Sequence, residues 1–211
     1  MKAARVRAEE PMPAGKATVF LGAGRITGAL LAGLSLARYE RPIIVHDRHP
    51  NKMRQLSRQY GVHAEANLLR AVGQARILII AVRPDSVRGL LEEIGEEIGK
   101  VRPTAVVSLA AGIPMANLRA WAKFPAKWTR AQPSPVARSG RGLTALTFDR
   151  GFPVASRRSV RDFFAKVGMV LEIPESKLDA FTVVYSPSHG YHALATLAEV
   201  CLLYTSDAAD E

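Results

Sequence analysis

The sequence predicts an α/β fold with a doubly wound, mostly parallel sheet, followed by the start of an all-helical domain. Short apolar runs alternate with amphipathic helical patterns from residue 17 to residue 174. The first run ends in a glycine turn at residues 22–24 and passes at once into a helical pattern. From Glu175 onward the pattern is helical only. A strand, a glycine turn and a helix in this order are typical of a Rossmann-type dinucleotide-binding domain.

Length and composition limit the classes of protein that the chain can form. Its 211 residues suit one or two domains, and no apolar run is long enough to span a membrane. The formal net charge is +10, yet the 29 Lys and Arg residues are scattered without interleaved aromatic residues. We therefore expect no nucleic-acid partner, since an anionic small ligand also accounts for a basic chain. The one cysteine excludes an internal disulfide framework and predicts a reducing, cytoplasmic location.

The two ends of the chain are expected to lie outside the folded domain at 17–174. Residues 1–16 hold two prolines, mixed charge and no periodicity, which predicts a disordered extension, and Met12 is an alternative start. Residues 201–211 look like the translation of a transposase adapter used in sequencing libraries, which predicts a non-native tail. The helical segment 175–200 is then expected to be the truncated first part of a longer domain.

Two strands with their helices open the chain. The apolar run 17–21 precedes the glycine turn, and in the helix 25–39 apolar residues recur every three or four positions. The second strand, 42–46, is apolar up to its final histidine, as expected of a strand buried on both faces. Pro50 suits the first position of the next helix, and Gly61 suits its end.

Three further strands are predicted in the middle of the chain. The short strand 62–64 and a helical turn from Asn67 lead to 76–82, the most apolar strand of the chain. Residues 83–85 break this strand, and the following helix directs a row of apolar residues inward and four glutamates outward. The strand 104–109 ends in a run of small residues.

The last three strands complete the predicted sheet. A helix at 115–122 leads to a strand at 127–131, a loop and a further strand at 143–148. Ser156 is predicted to cap a helix with four apolar residues on its inner face, and 169–173 is the last strand.

The glycine turn is the first candidate for a ligand site. Gly22 permits a tight turn, and Gly24 lacks a Cβ, so the backbone can approach a pyrophosphate. The helix that starts near Arg25 would aim unpaired N–H groups and its positive dipole end at the phosphates. The third small residue of the fingerprint is replaced by Thr27, which leaves open a strand that turns into a buried helix and binds nothing.

The end of the second predicted strand bears on which dinucleotide is bound. Asp47 lies 23 residues after Gly24, where an acid accepts hydrogen bonds from ribose hydroxyls. Arg48 could instead hold a 2′-phosphate, and His46 and His49 make this corner basic, which favours NADPH over NADH. A solvated loop around Arg48 is the alternative interpretation.

Two further strand ends are candidates for the nicotinamide half of a cofactor. The corner 81–84 and the small residues 110–112 both follow buried strands, at the edge of a doubly wound sheet where ligands bind. Two ordinary strand-ending turns are the alternative interpretation. His189 and His192 are three residues apart, but no Cys, Asp or Glu is placed to complete a metal site, and we expect none.

Taken together, these motifs resemble the pyrroline-5-carboxylate reductase family over residues 19–200. Beyond the glycine turn, the resemblance rests on Ala81-Val-Arg-Pro84, Ser108-Leu-Ala-Ala-Gly-Ile113, Arg130-x-x-Pro133 with Gly140-x-Gly142, and Glu175-x-x-x-Asp179. It implies NADPH or NADH as cofactor, a small-molecule substrate and a homo-oligomer assembled through a helical dimerisation domain. Together with Asp47, the implied cofactor-binding residues are Gly22, Gly24, Arg25, Ile26, Thr27, Arg48, Asn67, Ala81, Val82, Arg83, Pro84, Ala111 and Gly112.

The chain departs from the family pattern in two loops that border the nicotinamide and substrate in the family. Gln132-Pro-Ser-Pro-Val136 stands in place of Met-Pro-Asn-Thr-Pro, and the segment 185–191 in place of Ser-Gly-Ser-Gly-Pro-Ala-Tyr. We expect the helical pattern to be interrupted at 186–190, where a new helix N-terminus would offer donors to a substrate carboxylate. The candidate substrate-binding residues are Ser134, Ser186, Ser188 and His189, and no catalytic residue is assigned.

The resemblance implies NAD(P)H-dependent reduction of 1-pyrroline-5-carboxylate, a cyclic imine, to proline. The cofactor would deliver hydride to the C=N carbon, and the protein would orient the reactants and exclude water. The two changed loops leave two alternatives open. One is a dinucleotide-binding regulatory relative without proline-forming activity, and the other is an oxidoreductase that acts on another small substrate, such as a hydroxy acid.

Overall fold

A computed structural model describes residues 16–122, 124 and 126–206 of the chain. Its strands are β1 (Ala17–Leu21), β2 (Ile43–His46), β3 (His63–Ala64), β4 (Ala75–Ile80), β5 (Ala105–Ser108), β6 (Trp128–Pro133), β7 (Gly142–Phe148) and β8 (Gly168–Glu172). Its α-helices are α1 (Arg25–Leu36), α2 (Pro50–Tyr60), α3 (Leu68–Gly73), α4 (Pro84–Val101), α5 (Met115–Ala122), α6 (Val154–Ala165) and α7 (Glu175–Ser206). A 3₁₀ turn at Pro135–Ser139 joins β6 to β7.

The eight strands form one sheet in the order β3-β2-β1-β4-β5-β6-β7-β8. Neighbouring strands are parallel except β6 and β7, which are antiparallel. The chain builds outward from β1 to β3 on one side and then continues from β4 on the other side of β1. A crevice opens between the carboxyl ends of β1 and β4 at this reversal of strand order. The predicted fold class, a doubly wound and mostly parallel sheet followed by a helix, is confirmed.

The inner strands of the sheet are buried on both faces, because alternate residues point to opposite sides and helices pack against each side. Val19 and Leu21 pack with apolar residues of α4 and α5, whereas Phe20 packs with residues of α1 and α6. The two central strands β1 and β4 are apolar at all but one position each, Thr18 and Arg76, and this packing holds their ends in a fixed place. The glycine turn after β1 starts from this rigid base.

Three boundaries differ from the prediction for local physical reasons. Helix α1 ends at Leu36 instead of residue 39, because Arg38 adopts a left-handed φ of 50° and the Tyr39 N–H returns to the Leu34 carbonyl at 3.0 Å. Ser156 is not the cap of α6; it is buried inside that helix, which begins at Val154 after Pro153. Strand β6 runs two residues past 131, because its end pairs with β7.

Helix α7 is continuous where the sequence predicts an interruption. The helix runs through residues 186–190 without a break, so the predicted interruption and its second helix N-terminus are wrong. A proline inside a helix removes one N–H donor and need not end the helix. Leu178 is buried, whereas Val184, Leu194 and Leu197 are exposed, because the rest of the described chain does not cover that side of α7.

Candidate functional site

An open groove of about 1170 Å³ lies at the carboxyl ends of β1, β2 and β4. The glycine turn, the end of β2, the start of α3 and the first turns of α4 form its walls. The predicted site residues that line the groove are Gly22, Gly24, Asp47, Arg48, Asn67, Ala81, Val82 and Arg83. The predicted residues Arg25, Ile26, Thr27, Pro84, Ala111 and Gly112 are not among its lining residues. The structure thus brings the strand ends on either side of the glycine turn together around one space.

Gly22 and Gly24 differ in what surrounds the position of a Cβ atom. Gly22 has a φ of +116°, and a Cβ built there would lie 2.6 Å from the carbonyl oxygen of Ala81. This contact requires glycine, because only glycine lets the turn after β1 lie directly on the corner after β4. A Cβ at Gly24 would meet nothing within 4 Å, so this position opens toward free space.

The start of α1 leaves its backbone donors available to a ligand. Gly24 is the N-cap of the helix, no side chain caps this end, and the first turn carries no acidic residue. The first N–H groups of a helix have no intrahelical partners, and the helix dipole favours an anion beside them. A phosphate group fits the chemistry of this helix end.

Thr27 explains how the turn tolerates a residue other than Gly or Ala at the third position of the fingerprint. Its side chain is fully buried, and its hydroxyl donates to the Gly22 carbonyl at 2.7 Å. The Gly22 N–H in turn donates to the His46 carbonyl at 2.7 Å. Thr27 therefore braces the turn from inside the protein and does not face the groove.

The Asp47 carboxylate is bound by the protein itself. Oδ2 accepts the Ala23 backbone N–H at 2.7 Å, which ties the end of β2 to the glycine turn. Oδ1 accepts the His49 backbone N–H at 2.8 Å and lies 2.9 Å from His49 Nδ1. Partial burial raises the pKa of the Asp47 carboxyl, but the hydrogen bonds from Ala23 and His49 outweigh it, so the pKa lies below its ordinary value.

The rim of the groove beside Asp47 is basic. Arg48, His49 and Lys52 are exposed and line this side of the groove. Several cations around a concave site attract anionic ligands over longer distances than a single contact. Lys52, in the first turn of α2, was not predicted from the sequence, although the helix that starts at Pro50 places it next to the end of β2.

Asn67 caps the helix that the sequence predicts to begin at this position. Its Oδ1 accepts the Arg70 N–H at 2.9 Å, so it is the N-cap of α3. Its own backbone N–H donates to Glu65 Oε1 at 2.8 Å. The side chain caps a helix at the wall of the groove.

The other predicted residues lie further along the sheet edge. Ala111 and Gly112 are exposed in the loop after β5, and Gly112 has a φ of +72°. Ser134, directly before the 3₁₀ turn, is 3% exposed, and its hydroxyl has no hydrogen-bond partner within the part of the chain that the structure describes. The backbones of Ser186, Ser188 and His189 belong to α7, and their side chains lie outside the described part of the chain.

The described residues contain no group of three or more His, Cys, Asp or Glu residues that could hold a metal ion. None of the helices described is long and apolar enough to cross a membrane.

The doubly wound sheet, its glycine turn and the groove at the reversal of strand order together define a dinucleotide-binding α/β protein. Comparisons with known proteins narrow this class. Residues 18–112 match the family model described as NADP oxidoreductase coenzyme F420-dependent. The chain is 30% identical over 180 residues to the pyrroline-5-carboxylate reductase of Corynebacterium melassecola, which covers 84% of this chain and 67% of that protein.

Solved structures show the same fold. A pyrroline-5-carboxylate reductase from Coxiella burnetii superposes with a TM-score of 0.80 at 20% identity, over 87% of this chain and 68% of that one. The Plasmodium falciparum pyrroline carboxylate reductase with NADP bound superposes with a TM-score of 0.77 at 18% identity, over 90% and 70% of the two chains.

The chain belongs to the pyrroline-5-carboxylate reductase family, a family of oxidoreductases, as its motifs predict. It spans between 60% and 69% of the lengths of the curated relatives that were compared.

Proposed function

We propose that the protein reduces 1-pyrroline-5-carboxylate to proline with NADPH. The observation that carries the proposal is the glycine turn, with the uncapped start of α1 opening onto a groove that has a basic rim. Family membership supports the reaction, and the NADP bound to the Plasmodium falciparum relative supports the cofactor. When bound, the cofactor supplies the hydride that reduces the C=N carbon of the imine.

The chain's own residues would hold the cofactor in three places. The first N–H groups of α1 would receive the pyrophosphate, and Gly24 leaves space for its approach. Arg48, His49 and Lys52 would surround the 2′-phosphate. The corner at Ala81 would line the path toward the nicotinamide, at the carboxyl end of β4, with Ala111 and Gly112 one strand further on.

The hydrogen bonds that the Asp47 carboxylate makes within the protein favour NADPH over NADH as the cofactor. An acid at this place selects NADH when its oxygens are free to accept the ribose hydroxyls. Here the oxygens accept N–H groups of Ala23 and His49 instead. The negative charge is therefore partly balanced, and the cations beside it would dominate the interaction with a phosphate.

Substrate binding and assembly are further parts of the proposal. Ser134, whose buried hydroxyl has no partner among residues 16–122, 124 and 126–206, is a candidate for a contact near the substrate, together with Ser186, Ser188 and His189 of α7. Exposed apolar residues on α7 support a homo-oligomer formed through this helix, among them Val183, Val184 and Leu194. We further infer a cytoplasmic location from the single cysteine.

The decisive experiment is an assay of NADPH oxidation with 1-pyrroline-5-carboxylate, with proline measured as the product. Proline formed in step with NADPH oxidised would support the proposal. Tight NADPH binding without oxidation would instead favour a regulatory relative. Oxidation with another imine or with a keto acid, but not with the pyrroline, would point to a different substrate.

A further inference from the structure

A buried arginine joins the sheet to α7. Arg130 of β6 is 1% exposed, and its guanidinium binds two carboxylates of the helix. Nη1 donates to Glu175 Oε1 at 3.2 Å, and Nη2 donates to Asp179 Oδ1 at 2.9 Å. Glu175 and Asp179 are one helical turn apart, so they share one face of α7. The first turn of α7 is thereby fixed to the middle of β6.

The same oxygen of Glu175 also holds the start of another helix. Oε1 accepts the backbone N–H of Met115 at 2.7 Å, across 60 residues of sequence. Met115 is the first residue of α5, where N–H groups lack partners within the helix. The loop 110–114 that leads into α5 contains Ala111 and Gly112. One carboxylate oxygen thus connects this loop, β6 and α7.

Burial makes the arrangement of these three elements specific. A guanidinium removed from water needs charged or hydrogen-bonded partners, and loss of one partner leaves an unbalanced charge. Arg130 therefore fixes Glu175, and Glu175 fixes Met115. The negative charge of Glu175, in the first turn of α7, also interacts favourably with the positive end of the helix dipole.

A second carboxylate offers a close comparison. Glu172, three residues before Glu175, accepts hydrogen bonds from Arg157 and Arg161 at the outer edge of the sheet. Like Glu175 it is a carboxylate with an arginine partner, but no hydrogen bond from Glu172 to Met115 or to the loop 110–114 is found among the described residues. A neutral variant of Glu172 removes the same charge without touching the junction.

We propose that Glu175 is a positioning residue that couples the loop 110–114 to α7. Through Oε1 it keeps the start of α5, the loop before it and α7 in one relative arrangement. The inference rests on the proposed function for one statement only, that this loop faces the nicotinamide.

Hydrogen exchange on the whole chain tests the coupling without any ligand. In Glu175→Ala the Met115 amide should exchange about tenfold faster or more, because it loses a charged acceptor. Glu175→Gln should show a smaller increase, because its oxygen still accepts but carries no charge, and Glu172→Gln should leave Met115 unchanged. An unchanged Met115 amide in both Glu175 variants would overturn the proposal. The glutamine variant decides the question if the alanine variant does not fold.

A pair of ligands then tests whether the coupling reaches the cofactor. Bound in the proposed way, NADPH would extend to the loop 110–114, whereas adenosine 2′,5′-bisphosphate carries only the adenosine half. Glu175→Ala should weaken NADPH about fivefold or more and leave the bisphosphate unchanged. Equal weakening of both ligands, or of neither, would overturn this part. A wild-type chain that binds neither ligand would refute the proposed function, and the exchange result alone would then decide the role of Glu175.

Discussion

Asp47→Ala separates two roles that an acid at the end of β2 can have. In the structure the carboxylate is a clamp: it accepts the Ala23 N–H and two groups of His49. If the carboxylate instead bound the ribose hydroxyls of the cofactor, its removal would lower the affinity for NADH and leave the stability of the protein unchanged. If it is a clamp, its removal loosens the glycine turn for both cofactors.

The contacts set the magnitude of this effect. Ala23 is buried, so its N–H would be left without a partner, at a cost of about 1–3 kcal/mol. His49 is two-thirds exposed, so its two hydrogen bonds to the carboxylate add less, roughly 0–1 kcal/mol together. We expect Asp47→Ala to lower the free energy of unfolding by about 2–3 kcal/mol, which corresponds to a fall in Tm of roughly 5–10 °C for a chain of this size.

The assay pairs thermal unfolding with titrations of NADPH and NADH. Asp85 provides the control, because it also lines the groove but its described partners are local and solvent-exposed: the Arg83 guanidinium at 3.5 Å and the Ser86 hydroxyl at 2.9 Å. Asp85→Ala should change stability by less than about 1 kcal/mol. In Asp47→Ala both cofactors should lose affinity by a similar factor. Unchanged stability with a selective loss of NADH would refute the clamp.

Three further predictions follow from the same site. Arg48→Ala should weaken NADPH roughly tenfold, equivalent to about 1.4 kcal/mol, and spare NADH; an equal loss of both in the titrations would contradict a 2′-phosphate contact. Gly22→Ala should cost about 2–4 kcal/mol in a urea-unfolding experiment, because its Cβ meets the Ala81 carbonyl at a φ of +116°. Gly61→Ala, at a φ of +67° with open space around it, should cost only about 1 kcal/mol, and similar costs for both would mean that the contact is unimportant. The pKa of Asp47 lies below the ordinary 3.8, so its stabilisation is complete above that pH and is lost as the pH falls through the lower folded-state value. The stability difference between wild type and Asp47→Asn should therefore shrink in acid, and a constant difference would contradict the shift.

The fold could be predicted from the sequence to the extent that it depends on local patterns. Apolar runs and glycine turns lie on neighbouring residues, so β1, the turn and α1 were evident. The antiparallel pairing of β6 with β7 was not, because it depends on the 3₁₀ turn between them. The continuity of α7 was not predicted, because a proline usually indicates the end of a helix, whereas this helix continues through its proline.

The candidate site was predictable in position but less so in role. Asp47 and Thr27 were both singled out, yet their hydrogen bonds reach Ala23 and Gly22, and no local pattern shows where those atoms lie. The link from Glu175 to Met115 crosses 60 residues and is equally invisible in a linear pattern. Residues that support a site through hydrogen bonds to distant backbone atoms can be identified only from the folded structure.

The most direct test of the account is calorimetric titration of the chain with NADPH and with NADH under the same conditions. We predict that both bind at one site per chain and that NADPH binds more tightly, by about tenfold, since the cations beside Asp47 add one phosphate contact. Tighter binding of NADH, or binding of neither, would contradict the assignment of the groove as a site for NADPH.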